Sequence, residues 1–198
     1  MNSKNHDNEE PVLSLEELNR VDKLIRKSDK LSEKGKFGEA LIVLQQISEI
    51  SNNVPIAIFE TGNILLDMAR YDEAVAMFDR LIHLEYRSPI VHTVQDAETD
   101  MVMDLKTAAH YNKGNALYLQ EKYKEAIEAY THAIEVETDY YIAWFNRACM
   151  YTKLGNTEQA LIDLKQAIKL NKKLKKEARQ EEFFQPLYND PEFLKITK

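Results

Sequence analysis

His110-Tyr111-Asn112-Lys113-Gly114-Asn115-Ala116-Leu117-Tyr118, followed five residues on by Tyr123-Lys124-Glu125-Ala126-Ile127, decides how this chain folds. Apolar and small residues recur in it at three- and four-residue spacing, the period of a helix with one buried stripe. Gly114 falls inside the first of these helices, where glycine costs about 1 kcal/mol relative to alanine. That cost is understandable if the missing side chain lets a neighbouring helix approach closely. The stretch predicts two antiparallel helices joined by a short turn.

The same surroundings recur around Ala40, Ala74, Ala126 and Ala160, which are spaced by 34, 52 and 34 residues, and 52 is 34 plus 18. Setting these alanines in register defines units 21–54, 55–88, 107–140 and 141–174, with an 18-residue insertion, 89–106, between the second and third. The register organises positions that were not used to find it. Twelve residues before each alanine stand Ser28, Gly62, Gly114 and Ala148, all small; four after it come Leu44, Phe78, Tyr130 and Leu164, all large. Gly35 and Gly155 stand where a first helix must end. Small residues bring two backbones together and large ones fill the space beside them.

The composition fits this. Five glycines and five prolines in 198 residues are too few for the turns of a β-sandwich or barrel, and 44% hydrophobic residues are too many for a wholly disordered chain. No run approaches the ~18 apolar residues of a membrane-spanning helix. A net charge of −7 disfavours general nucleic-acid binding. The single Cys149 forms no intrachain disulfide, and the polar first ten residues lack the apolar run of a signal peptide, so a cytoplasmic protein is expected.

The units resemble the tetratricopeptide repeat, whose signature W-x2-L-G-x2-Y, then A-x3-F, then P is matched best by the third and fourth. The fourth carries Trp144, Tyr151, Gly155, Ala160 and Ala167. The first two are more degenerate, and Asn52, Tyr86, Thr138 and Lys172 replace the closing proline. The resemblance implies an all-α fold, an α-α superhelix of four helix-pair repeats with a C-terminal capping helix. It also implies a non-enzymatic scaffold or adaptor that binds a protein or peptide in a concave groove lined by the first helices.

Residues 1–12 are expected to form a disordered tail and 13–198 a single repeat domain, with Ser14-Leu15-Glu16-Glu17 a capping box at the first helix. The open end of a stacked array needs a cover, and the segment 175–198 supplies Phe183, Phe184, Leu187, Phe193 and Leu194, with Asp190-Pro191 starting a last helix. In the insertion, Ile90, Val94, Ala97, Met101, Leu105 and Ala108 continue a helical stripe. They predict that residues 89–106 lengthen the first helix of the third unit, as extra packing or a surface for self-association.

Catalytic and metal chemistry find no support. The five histidines, 6, 83, 92, 110 and 132, include no close ligand pair, and the lone cysteine adds no cluster. There is no phosphate-cradling loop, G-x-S-x-G or H-E-x-x-H. No cofactor, metal site or enzyme activity is expected. The basic run Lys169 to Arg179 reads as solvated surface that complements a helix end.

Transferred from the family, the ligand-contacting places fall on Phe59, Glu60, Asn63 and Leu66; on Tyr111, Asn112, Asn115 and Tyr118; and on Phe145, Asn146, Cys149 and Lys153. Aromatic faces beside side-chain amides suit an extended peptide, because asparagine bonds both N–H and C=O. The alternative is a co-chaperone-like receptor for acidic C-terminal peptides through a carboxylate clamp. Asn115 and Asn146 stand at the clamp's asparagine places and Lys176 at a basic one, but Tyr111 replaces the leading lysine and Arg179 is one residue out of register.

Overall fold

Ser14 opens the first helix with a reciprocal cap: its hydroxyl accepts from the Glu17 N–H, and the Glu17 carboxylate accepts from the Ser14 N–H at 2.8 Å. The structure, a computed structural model, describes residues 13–85, 93–95 and 102–198. The expected N-terminal tail, 1–12, lies outside the described residues. Four helix pairs follow one another: α1 (Leu15–Ser32) with α2 (Phe37–Ser48), α3 (Pro55–Asp67) with α4 (Tyr71–His83), α5 (Leu105–Leu119) with α6 (Tyr123–Val136), and α7 (Tyr141–Lys153) with α8 (Thr157–Leu170). The first pair belongs to one compact unit, and α3 onward to a second. Within the second unit each helix packs on the next, and α3 also packs on α5.

One turn serves all four pairs. The N–H groups of Lys36, Arg70, Lys122 and Asn156 donate to the carbonyls of Leu31, Leu65, Leu117 and Tyr151, each at 2.9 Å. The residue before each donor is left-handed: Gly35 (φ 71°), Ala69 (φ 57°), Glu121 (φ 59°) and Gly155 (φ 73°). Two repeats meet this requirement with glycine. The other two hold an L-residue where the left-handed conformation costs about 1 kcal/mol or more.

The small residues expected at helix crossings have a specific occupant beside them. A Cβ on Gly62 would lie 2.6 Å from the Phe78 ring, and one on Gly114 would lie 2.5 Å from the Tyr130 ring. Both rings are almost wholly buried. Small and large residue stand 16 apart in sequence on the two helices of a pair. In the first and fourth pairs the same places hold Ser28 with Leu44 and Ala148 with Leu164, all buried. Glycine therefore occurs where the opposite residue is aromatic, and a side chain is present where it is leucine.

The insertion is corrected by the structure. Instead of lengthening a helix, Thr93–Gln95 (β1) and Val102–Asp104 (β2) form an antiparallel ladder with Val94 opposite Met103. Asp104 starts α5 at Leu105 by accepting from the Lys106 N–H at 2.8 Å, and its own N–H donates to Glu137 Oε1 at 2.5 Å. Thr93, Val94 and Val102 favour extended backbone, and an aspartate side chain is a better helix start than interior. The helical stripe was thus coincident with strand formers and a cap. The rest of the insertion, 89–92 and 96–101, lies outside the described residues.

Beyond α8 come a short helix α9 (Leu174–Ala178), a 3-10 helix (Glu182–Leu187) and α10 (Pro191–Thr197), whose cap Asp190 accepts from the N–H groups of Glu192 and Phe193. The 3-10 helix packs on α7, and α10 on α8 and α9. Phe184, Leu187 and Phe193 are buried as a cover should be, whereas Leu194 is 52% exposed and Phe183 only half-buried.

Ala126 and Ala160 are wholly buried at their crossings. Ala126→Leu and Ala160→Leu are each expected to lower unfolding free energy by about 1–3 kcal/mol through overpacking, measured by urea denaturation. Unchanged midpoints for both would contradict the crossing geometry.

Candidate functional site: the face of the first helices

The helices α3, α5 and α7 bring asparagines together in a repeated bond. Asn112 on α5 donates from Nδ2 to Asn63 Oδ1 on α3 at 2.8 Å, and Asn146 on α7 donates from Nδ2 to Asn115 Oδ1 on α5 at 3.4 Å. In both, the sixth residue of one repeat bonds the ninth residue of the repeat before it. Asn146 Nδ2 also donates to the Tyr111 hydroxyl at 3.1 Å, and the Tyr130 hydroxyl donates to Asn115 Oδ1 at 2.8 Å. Asn63 Nδ2 lies 3.4 Å from Glu60 Oε2. All four asparagines are half-buried, and Oδ1 of Asn112 and of Asn146 accepts from no described residue. Each of these carbonyl oxygens retains the capacity to accept.

The aromatic candidates serve a different purpose. Phe59 packs on Phe78 at 6.1 Å, Tyr111 lies between Tyr130 (5.8 Å) and Tyr140 (5.1 Å), and Phe145 meets Phe184 edge-on at 5.4 Å. All three are buried, so their rings hold the helices that carry the amides. Tyr118 is half-buried against Phe183, and Lys176 is exposed on α9. The structure thus brings Tyr111, Asn115 and Asn146 into one network and joins Asn63 to Asn112 in a separate amide pair. It separates Phe59, Phe145 and Tyr118 from that network, in the core or beside the C-terminal segment. Tyr130 raises its hydroxyl pKa well above the usual phenol value, chiefly by burial, so it remains a donor to Asn115.

A buried clasp next to the network was not anticipated. Arg147 donates from Nε and Nη2 to the two carboxylate oxygens of Asp163 at 2.6 and 2.9 Å, and from Nη1 to Thr131 at 2.9 Å. It thereby ties α7 to α8 and α6, one residue from Asn146. Arg147 and Asp163 stand 16 apart, the same interval as Gly62 and Phe78, and this spacing is the sequence signal that would have located the pair. Burial raises the Asp163 pKa despite the guanidinium.

The family model described as Tetratricopeptide repeat matches residues 107–140 and 141–174. Those two units are tetratricopeptide repeats, and the fold of the helix pairs is that of the family's solenoids. The chain is 26% identical over 169 residues to Hsp70-Hsp90 organizing protein 3 of Arabidopsis thaliana, with 78% of this chain aligned. It spans only 28% of the length of that relative. Among solved structures, MamA 41-end from Desulfovibrio magneticus RS-1 has a TM-score of 0.67 at 19% identity, over 90% of this chain and 93% of that one. YrrB, described as a TPR protein with an unusual peptide-binding site, has a TM-score of 0.63 at 17% identity, over 91% and 85%.

Among the described residues no group of three or more His, Cys, Asp or Glu is placed to hold a metal ion, and no helix is long and apolar enough to cross a membrane. The His110 ring lies 5.2 Å from that of His132, centroid to centroid. Burial, then the neighbouring His132 and Lys113, lower the His110 pKa from 6.5 to about 4, against the opposing pull of Asp79. A histidine whose folded pKa lies below its unfolded one takes its proton first in the unfolded chain, so its effect on stability is lost progressively as pH falls from about 6.5 to about 4. His110→Gln is expected to remove that part of the pH dependence. The gap between wild-type and variant unfolding free energy, followed from pH 7 to pH 4, should move in favour of the variant. A constant gap would contradict the assignment.

Proposed function

We propose that the face of α3, α5 and α7 binds an extended segment of a partner protein, and that the chain acts as a non-enzymatic interaction scaffold. The observation that carries this reading is the pair of equivalent amides, Asn112 and Asn146. Each is oriented by an N–H bond to the preceding repeat, and each keeps a carbonyl oxygen for a partner's N–H. Backbone N–H groups along an extended segment meet such acceptors without regard to side-chain identity. Specificity then comes from what lies beside them. Similarity to an Hsp70-Hsp90 organizing protein supports a role in bringing proteins together.

The same similarity favours a second, finer reading, in which the segment is an acidic C-terminal peptide held by Asn115 and Asn146. The leading cation of such a clamp is lacking here. Tyr111 occupies its place with the hydroxyl engaged by Asn146, and the nearby Lys113 is bound to Asp79 at 2.6 Å. A carboxylate held by amides alone forgoes the stronger charge-assisted bonds, so amide-backbone recognition is the preferred account.

Capture from the native cell extract identifies a partner segment, which is then resynthesised and titrated. Asn112→Ala with Asn146→Ala is expected to weaken it at least tenfold, about 1.4 kcal/mol, with the helical circular-dichroism signal retained. Amidating the C-terminus of the segment should leave its affinity unchanged for backbone recognition and abolish it for the clamp. Full affinity in the double variant would contradict the role of the amide row.

A further inference from the structure

The first-helix face already holds one segment at its far end, and that segment is the chain's own. Phe183 lies edge-on to the Tyr118 ring of α5 at 5.6 Å, while Lys153 Nζ of α7 stands 5.1 Å from the centre of the Phe183 ring. Phe184 turns the other way and packs against Phe145 of α7. Glu181 is close enough that its charge helps raise the pKa of Tyr118 and of the buried Cys149, after burial itself. Phe183 and Phe184 thus engage Tyr118, Phe145 and Lys153, and the Glu181 charge acts on Tyr118 and Cys149. Tyr118 holds the twelfth place of the third repeat, and Phe145, Cys149 and Lys153 hold the fifth, ninth and thirteenth places of the fourth.

A segment serving only to close the apolar end of the array needs its buried residues, and Phe184, Leu187 and Phe193 are buried. Phe183 does something else. It is half-buried, it reaches past α7 to α5, and its ring is shared between an aromatic edge and a cation. A cation over a partly exposed ring is a weak interaction of reversible strength. The seat itself is chemically selective. The Lys153 ammonium favours an acidic residue and an aromatic face, and the Tyr118 ring favours an aromatic edge.

We propose that residues 181–184 are an internal ligand of the first-helix face, and that a partner segment of acidic–aromatic sequence takes the same seat by displacing Phe183. This inference rests on the peptide-binding reading and names the partner chemistry for one end of that face. Occupation in cis lowers the apparent affinity for any segment added in trans by the fraction of molecules whose seat is open.

The probe is a fluorescently labelled synthetic peptide with the sequence of residues 179–188, titrated by anisotropy against the full chain. Wild type is expected to bind it weakly, and Phe183→Ala about tenfold more tightly, because the seat is vacated while Phe184 still closes the core. Adding Lys153→Glu to Phe183→Ala should abolish the gain. Equal affinity in wild type and Phe183→Ala, or a gain that survives Lys153→Glu, overturns the proposal. If Phe183→Ala loses its helical signal, amide exchange of the wild type decides. Exchange across 181–188 that accelerates on adding the probe while α7 stays protected supports displacement, and unchanged exchange overturns it. Failure here leaves the amide-row reading standing, because that reading is judged by the Asn112 and Asn146 variants alone.

Discussion

Each helix pair depends on one contact, between a small residue on its first helix and a large buried residue 16 positions later on its second. The distance between the backbones is set there. Glycine admits the Phe78 and Tyr130 rings, and serine or alanine admits Leu44 and Leu164. The contact couples two choices that composition treats separately, the presence of a glycine within a helix and the size of a core side chain. A glycine so placed costs about 1 kcal/mol of helix propensity, and burial of an aromatic ring in the space it leaves more than offsets this.

The site follows from that spacing. Tyr130 fills the gap at Gly114, and its hydroxyl is thereby carried to Asn115, the next residue on the opposite helix. Asn115 in turn receives Asn146 from the following repeat. The packing contact within one pair and the amide contact between pairs are therefore continuous. Arg147, held by Asp163 and Thr131, fixes α7 beside Asn146. The first-helix face is preorganised by core packing, which limits the ordering that a bound segment would require.

Much of this was legible in the sequence because it repeats. The alanine register located the helix pairs and the turn glycines, and the small–large alternation anticipated the crossings. What escaped was whatever occurs once. The ladder of residues 93–95 and 102–104 was hidden by apolar residues at a helical interval, and only Asp104, a strong cap, signalled the break. Phe59, Tyr111 and Phe145 occupy family ligand places, yet they are buried here, because whether such a place faces a ligand or a neighbour depends on what packs beside it. The reach of Phe183 to Tyr118 joins two parts of the chain that share no period. Contacts across different kinds of element leave no periodic trace.

The small–large contact is tested most directly by a double-mutant cycle at Gly62 and Phe78, with unfolding free energies from chemical denaturation. Gly62→Ala alone should destabilise by about 1–3 kcal/mol, since the ring it would meet is wholly buried. Combined with Phe78→Leu, the pairing already present in the fourth repeat as Ala148 and Leu164, it should be at least about 1 kcal/mol more stable than the sum of the single changes predicts. Additivity within about 0.5 kcal/mol would contradict the account, because it would mean that the glycine and the ring do not set the helix spacing together.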